Sequence, residues 1–168
     1  MKKNITRCSE CGKTFESKKI SIIDDRPICL PCIYGRTKPF EIYPIGKVRN
    51  KLQKSKKDFG LNGPKGISCI DLIPSQKRFM HRLEDEKFLT IVYYLHKTKS
   101  VKSVFKRGLD GKEVGVFASR TPYRLSKIGI QEVKLVKIEG TTLYVEGLDA
   151  INGSPVLDIK LKWSNLSH

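Results

Sequence analysis

Gly115-Val116-Phe117-Ala118-Ser119-Arg120-Thr121-Pro122-Tyr123-Arg124-Leu125-Ser126-Lys127-Ile128-Gly129 passes from a strand-like apolar segment through a basic, proline-marked turn toward a second strand. A later stretch answers it: Gly147-Leu148-Asp149-Ala150-Ile151-Asn152-Gly153-Ser154-Pro155-Val156-Leu157-Asp158-Ile159-Lys160. Around these two lie further runs rich in β-branched and aromatic residues, at 40–48, 67–73, 88–95, 114–119, 130–138, 143–147 and 156–163. Glu139-Gly140-Thr141 supplies a turn between two of them. Residues 75–85 read as a short helix with Phe79, Met80 and Leu83 on one side, and the lysine- and glycine-bearing stretch 49–66 reads as a loop. Many short strands with few helical patterns predict a mainly β protein, its main sheet closed or nearly closed into a barrel.

The first 36 residues carry a different signal. Cys8-x2-Cys11 and Cys29-x2-Cys32 have the spacing of a four-cysteine zinc site, in which two tight turns each offer two thiolates to one tetrahedral ion. Gly12 and Gly35 let the chain curl so that backbone N–H groups face the sulfurs. Disulfides and a redox Cys-x-x-Cys compete with this reading. The first needs an oxidising compartment, and the second needs a single pair in a βαβ setting. So short a segment has little core of its own, and a Zn2+ ion would supply its stability. RNA contact, bracing of the main domain and protein docking all remain open as its purpose. Cys69, alone in an apolar run, reads as a small buried hydrophobe. The expected organisation is a zinc-ribbon module at 1–36, a linker, and a β-barrel domain at 40–164.

The formal net charge of +16 is concentrated in two zones. Residues 1–57 hold 15 Lys/Arg against 5 Asp/Glu, and residues 97–127 hold 9 against 2, whereas the stretch after 127 is slightly acidic. Clustered positive charge favours a polyanionic partner through counterion release. Lys54, Lys56, Lys57, Lys97, Lys99, Lys102, Lys106, Arg107, Arg124 and Lys127 are the candidate RNA-binding residues. The basic start, Met1-Lys2-Lys3-Asn4, is followed by no apolar signal-peptide core, and the longest apolar run is far short of a membrane span. A cytoplasmic protein with no membrane partner is the expectation.

The quoted motifs resemble the TsaA-like (TrmO) family over residues 40–163. Pro44-Ile45-Gly46-Lys47-Val48-Arg49 is similar to that family's opening P-I-G-x-V-x-S-P, and Phe88-Leu89-Thr90-Ile91-Val92-Tyr93-Tyr94-Leu95-His96 to F-S-H-I with its following strand. Gly115-Val116-Phe117-Ala118-Ser119-Arg120 resembles G-V-F-A-T-R, and the later stretch resembles G-L-D and P-V-x-D-I-K. The resemblance implies a barrel methyltransferase, usually a homodimer. It would use S-adenosylmethionine to methylate N6 of threonylcarbamoyl-adenosine in tRNA, or a related RNA base. By position it assigns cofactor binding to Leu95, His96, Arg120, Ile130, Asn152, Gly153, Ser154 and Pro155. An arginine can pair with the cofactor's carboxylate, and a glycine turn can bring backbone polar groups close to it. No catalytic side chain is assigned. Methyl transfer from a sulfonium needs in-line approach more than a dedicated acid.

Several positions depart from the family pattern. Its R-P-N-P-I-G is Arg124-Leu125-Ser126-Lys127-Ile128-Gly129, without prolines or asparagine, and its D-G-T-P is Asn152-Gly153-Ser154-Pro155. The early P-R-Q motif has no counterpart, and the histidine of F-S-H is Thr90. An RNA methyltransferase is therefore set beside a non-catalytic zinc-ribbon and barrel protein that holds tRNA or ribosomal RNA. A third reading makes the ribbon a protein-docking element.

Overall fold

The computed structural model describes residues 4–53 and 66–162, and it is mainly β, as the sequence predicts. In chain order the elements are β1 (Ile5–Arg7), β2 (Thr14–Glu16), β3 (Ile20–Ile23), β4 (Arg26–Cys29), helix α1 (Leu30–Tyr34), β5 (Gly46–Arg49), β6 (Ile67–Leu72), β7 (Phe88–Tyr94), β8 (Val104–Lys106), β9 (Glu113–Gly115), β10 (Ile128–Glu139), β11 (Thr142–Glu146) and β12 (Pro155–Leu161). Strands β5, β6, β7, β10, β11 and β12 form a closed antiparallel barrel in the order β10-β11-β6-β5-β12-β7.

Period-two burial builds the barrel core. Ile70 and Leu72 on β6, Leu89, Ile91 and Tyr93 on β7, Val133 and Leu135 on β10, and Leu143 and Val145 on β11 all point inward. Burial of each large aliphatic side chain contributes about 1.5–3 kcal/mol. The β10–β11 hairpin closes through a two-residue loop, with Glu139 opposite Thr142 and Gly140 at φ +63°. The ladder shifts register between Leu135 and Lys137 and between Val156 and Asp158, the local irregularities that bend strands around a barrel.

The chain divides into two compact units, and the division cuts across the expected domain boundaries. One unit is the barrel, from Ile42–His96 and Ile128–His168. The other joins Met1–Glu41, which holds the cysteines, to the excursion Lys97–Lys127. In this second unit β1 pairs with β2, β3 with β4, and β8 with β9. Its small core is Cys8, Ile28 and Cys29, with Phe15, Ile20, Ile23, Cys32 and Ile33 packed against them.

Some local expectations change. Strand structure at 40–48 is confined to β5, and Phe40 and Tyr43 ahead of it are exposed. The expected helix at 75–85 is two 3-10 turns, Pro74–Phe79 and Leu83–Asp85; Met80 is buried, but Phe79 points to solvent. The strand expected at 114–119 ends at Gly115 and passes into a 3-10 turn, Val116–Ala118. Cys69 is only half-buried, because it takes an outward-facing position on β6 between the inward-facing Ser68 and Ile70. Lys54, Lys56 and Lys57 lie outside the described residues.

Candidate metal centre and cofactor site

The β1–β2 pair brings Cys8 and Cys11 onto one turn, and β4 delivers Cys29 and Cys32 at the start of α1. Gly12 takes φ +70°, and its N–H bonds back to the Cys8 carbonyl at 3.1 Å, which closes the first turn. All four sulfurs lie within 4.8 Å of one another. Cys8 Sγ is 3.9 Å from Cys32 Sγ, and Cys11 Sγ is 3.8 Å from Cys29 Sγ. A tetrahedron with metal–sulfur bonds of about 2.3 Å has edges of about 3.8 Å, so the spacing fits a shared ion and is far too long for disulfides. The Cys29 and Glu10 N–H groups donate to Cys8 Sγ at 3.3 and 3.4 Å. Backbone hydrogen bonding, that of Cys11 first, holds the Cys8 thiol down at about 6. Burial pushes the Cys29 thiol up, and the adjacent Cys29 sulfur does the same to Cys32. Four crowded sulfurs resist becoming thiolates together, and a divalent cation removes that opposition.

In the barrel unit, the turn before β12 is laced to β5. The Gly153 N–H donates to the Val48 carbonyl at 2.7 Å, and the Val48 N–H donates to the Ser154 carbonyl at 2.9 Å. Gly153 accepts φ +82°, and a Cβ there would lie 3.9 Å from His96 Nε2. Ser154 is buried, and its hydroxyl shares a 3.3 Å hydrogen bond with His96 Nδ1. Asn152 Oδ1 accepts the Asn50 N–H at 3.0 Å. His96, Asn152, Gly153 and Ser154 are thus gathered at the end of β7, with Pro155 opening β12 and Leu95 packed against the core. Ile130 sits opposite Val92 on β10 and is 55% exposed, because inward positions on that strand fall on odd numbers up to the register shift after Leu135.

The signature stretch is divided between the units. Arg120 belongs to the second unit, is exposed, and forms no hydrogen bond or ion pair among the described residues. Arg124 turns inward: Nη2 donates to the Ser119 carbonyl and to that of Val116 at 3.3 Å, which fixes the turn ahead of it. Lys127 occupies the left-handed region at φ 52°. Gly129, the second residue of β10, sits opposite Tyr93, whose ring leaves no space for a side chain there.

The family model described as tRNA-methyltransferase O N-terminal domain matches residues 61–165. The chain belongs to the TrmO family. It is 31% identical over 119 residues to an S-adenosyl-L-methionine-binding protein of Archaeoglobus fulgidus, covering 70% of this chain and 85% of that protein. It is 40% identical over 81 residues to the tRNA (adenine(37)-N6)-methyltransferase of Homo sapiens, covering 46% of this chain and 18% of the human protein. A second, probable S-adenosyl-L-methionine-binding protein of A. fulgidus is 35% identical over 91 residues, which is 25% of its length. The chain thus spans a quarter or less of two of these relatives. A crystal structure of TrmO superposes with TM-score 0.62 at 26% identity, covering 77% of this chain and 60% of that one.

Within this TrmO-family chain, the excursion 97–127 carries all seven of the described candidate RNA-binding residues. Lys97, Lys99, Lys102 and Lys106 are exposed, and Lys102 Nζ lies 5.3 Å from the centre of the Tyr123 ring. Arg107 is committed internally, paired with Asp110 at 3.0 and 2.5 Å and donating to the Ala118 carbonyl at 3.2 Å. Sequence reasoning missed Asn50. Its Nδ2 donates to Ser68 Oγ at 3.0 Å and to the Ala150 carbonyl at 2.9 Å, while its backbone N–H meets Asn152. Its place directly after the Pro44–Arg49 motif was the available signal. Among the described residues no helix is long and apolar enough to cross a membrane.

Proposed function

We propose that this chain is an S-adenosylmethionine-dependent tRNA methyltransferase that modifies N6 of an adenosine, or of its threonylcarbamoyl derivative. The observation that carries this reading is the preformed barrel-end turn. His96, Asn152, Gly153 and Ser154 converge on β5 in a chain that spans 85% of an S-adenosylmethionine-binding relative. Backbone groups near Gly153 and the His96 ring would hold the cofactor, with Leu95, Ile130 and Pro155 assigned by the resemblance. The bound cofactor supplies the electrophilic methyl group. Arg120, assigned to the cofactor's carboxylate by the resemblance, is free to form such a pair. Zn2+ is the ion proposed for Cys8, Cys11, Cys29 and Cys32, as four thiolates at tetrahedral spacing suit it best. The exposed lysines of the excursion, with Lys54, Lys56 and Lys57, would contact tRNA phosphates, and Lys127 would extend that strip, whereas Arg124, like Arg107, is spent on backbone carbonyls of its own unit. A homodimer follows the family pattern.

A second reading, an RNA-binding protein without catalysis, draws on Asn152. The carboxylate of the family's turn is absent, and the amide oxygen is already used by Asn50. Calorimetric titration of the zinc-loaded protein with S-adenosylmethionine, and then S-adenosylhomocysteine, separates the two. The enzyme reading expects one site per chain. Absence of heat at millimolar cofactor would leave only the binding reading.

A further inference from the structure

The turn joining β3 and β4 is made of two aspartates where glycine or asparagine is the usual choice. Ile23 pairs with Arg26, and the intervening Asp24 and Asp25 have φ 47° and 61°, both positive as a type I′ turn requires. A non-glycine residue held there points to a compensating contact. Asp24 has one. Its Oδ1 accepts the Ser103 N–H at 3.0 Å, and its Oδ2 accepts the Ser103 hydroxyl. The Asp24 N–H donates to the Val101 carbonyl at 3.1 Å, and Ile23 bridges the buried Val101 in parallel.

These bonds continue in both directions. Toward the metal, β3 is paired to β4, with Ile20 opposite the ligand Cys29. Toward the signature, the Ser103 carbonyl accepts the Val116 N–H at 3.0 Å, and the Val116 carbonyl accepts from Ser119 Oγ at 2.9 Å and from Arg124. A route of paired strands and hydrogen bonds therefore runs from β4, which ends in Cys29, along β3 to Asp24 and Ser103, and on to the turn that precedes Arg120. Short strands with exposed hydrogen bonds open readily unless they are tied down. The β8–β9 pair has three residues in each strand.

We infer that Asp24 and Ser103 are positioning residues that make the order of segment 101–120 depend on the metal-nucleated hairpin. Metal loading then governs more than the fold of the cysteine module. It sets whether the Gly115–Arg120 signature and the lysines beside it are presented in one conformation. The consequence for cofactor binding rests on the proposed function; the ordering of the segment does not.

Hydrogen exchange on the full chain tests this with matched glycine substitutions. Asp24→Gly and Asp25→Gly both relax a left-handed position, but only the first removes the carboxylate that grips Ser103. Exchange across 101–119 is expected to rise about tenfold in Asp24→Gly, as loss of a charge-assisted hydrogen bond implies. It should stay at the wild-type rate in Asp25→Gly, with metal content and the exchange of β7 and β10 unchanged in both. Ser103→Ala should resemble Asp24→Gly, and zinc removal should raise exchange across 101–119 at least as far. Equal behaviour of the two aspartate variants, or an excursion whose exchange ignores zinc removal, overturns the inference. Cofactor titration of the same samples is read separately: a wild-type protein that binds no S-adenosylmethionine defeats the proposed function and leaves the exchange result standing.

Discussion

Replacing Gly129 by alanine puts a methyl group into the Tyr93 ring. The new Cβ would lie 2.6 Å from Cζ, 2.7 Å from Cε2 and 3.0 Å from the hydroxyl oxygen, where ordinary contact begins near 3.4 Å. The ring must therefore retreat by about 0.8 Å, inside a barrel where overpacking of this kind costs about 1–3 kcal/mol. Tyr93 is 5% exposed and its hydroxyl donates to the Asp149 carbonyl at 3.3 Å. Displacing that bond costs a further amount of about 0.5–1.5 kcal/mol. Alanine at a position without positive φ returns about 0.4–1 kcal/mol by restricting the unfolded chain. The net expectation is destabilisation of about 2 kcal/mol, within a range of about 0.5–4. Urea unfolding of the zinc-loaded protein, followed by far-UV circular dichroism, should show a lower midpoint at an unchanged slope. In a Tyr93→Val background the same substitution should be nearly neutral, because the atoms it strikes are gone. A stabilised Gly129→Ala protein, or the same penalty with and without the ring, would refute the reasoning.

Four other outcomes are expected. The purified chain should carry one zinc per molecule, and Cys11→Ser should lose it while β7 and β10 keep their exchange protection; metal content and hydrogen exchange check both. Burial, aided by Asp149, raises the Tyr93 phenol to about 12, so its contribution to stability is intact below the unfolded value of about 10 and is lost as pH climbs through the folded value; ultraviolet titration should show a late phenol step absent from Tyr93→Phe. Asp71 is held low by Arg49 and then by Thr142, so the stability it contributes is present above its unfolded value and disappears as pH falls; Asp71→Asn should flatten the acid limb of a midpoint-against-pH plot. Affinity for tRNA should fall steeply with salt, and replacing Lys102 should reduce the slope by about one counterion.

The barrel was legible because short runs rich in β-branched and aromatic residues, parted by turns and with few helical patterns, recur along the chain, β6, β7, β10 and β11 among them. The clustering of the four cysteines was legible because paired Cys-x-x-Cys spacing has few competing uses. Residues 75–85 misled because Phe79 looks apolar in a helical pattern, while Pro74 starts a 3-10 turn that leaves it in solvent. The true grouping of the excursion was hidden because it depends on long-range contacts between Asp24 and Ser103 that no local pattern encodes. The same limit applied to the site. His96 and the turn at 152–155 could be named by resemblance, but Asn50, which ties that turn to β5, has no periodic or compositional mark.

Methyl transfer to tRNA can be read from the nucleosides themselves. Zinc-loaded protein is incubated with tRNA and S-adenosylmethionine carrying a labelled methyl group, and the tRNA is digested to nucleosides and resolved by mass spectrometry. Label is expected on N6 of an adenosine-derived nucleoside, sharply reduced in Arg120→Ala. Unlabelled tRNA at saturating cofactor, from a protein shown to be folded and metal-loaded, would contradict the proposed methyl transfer.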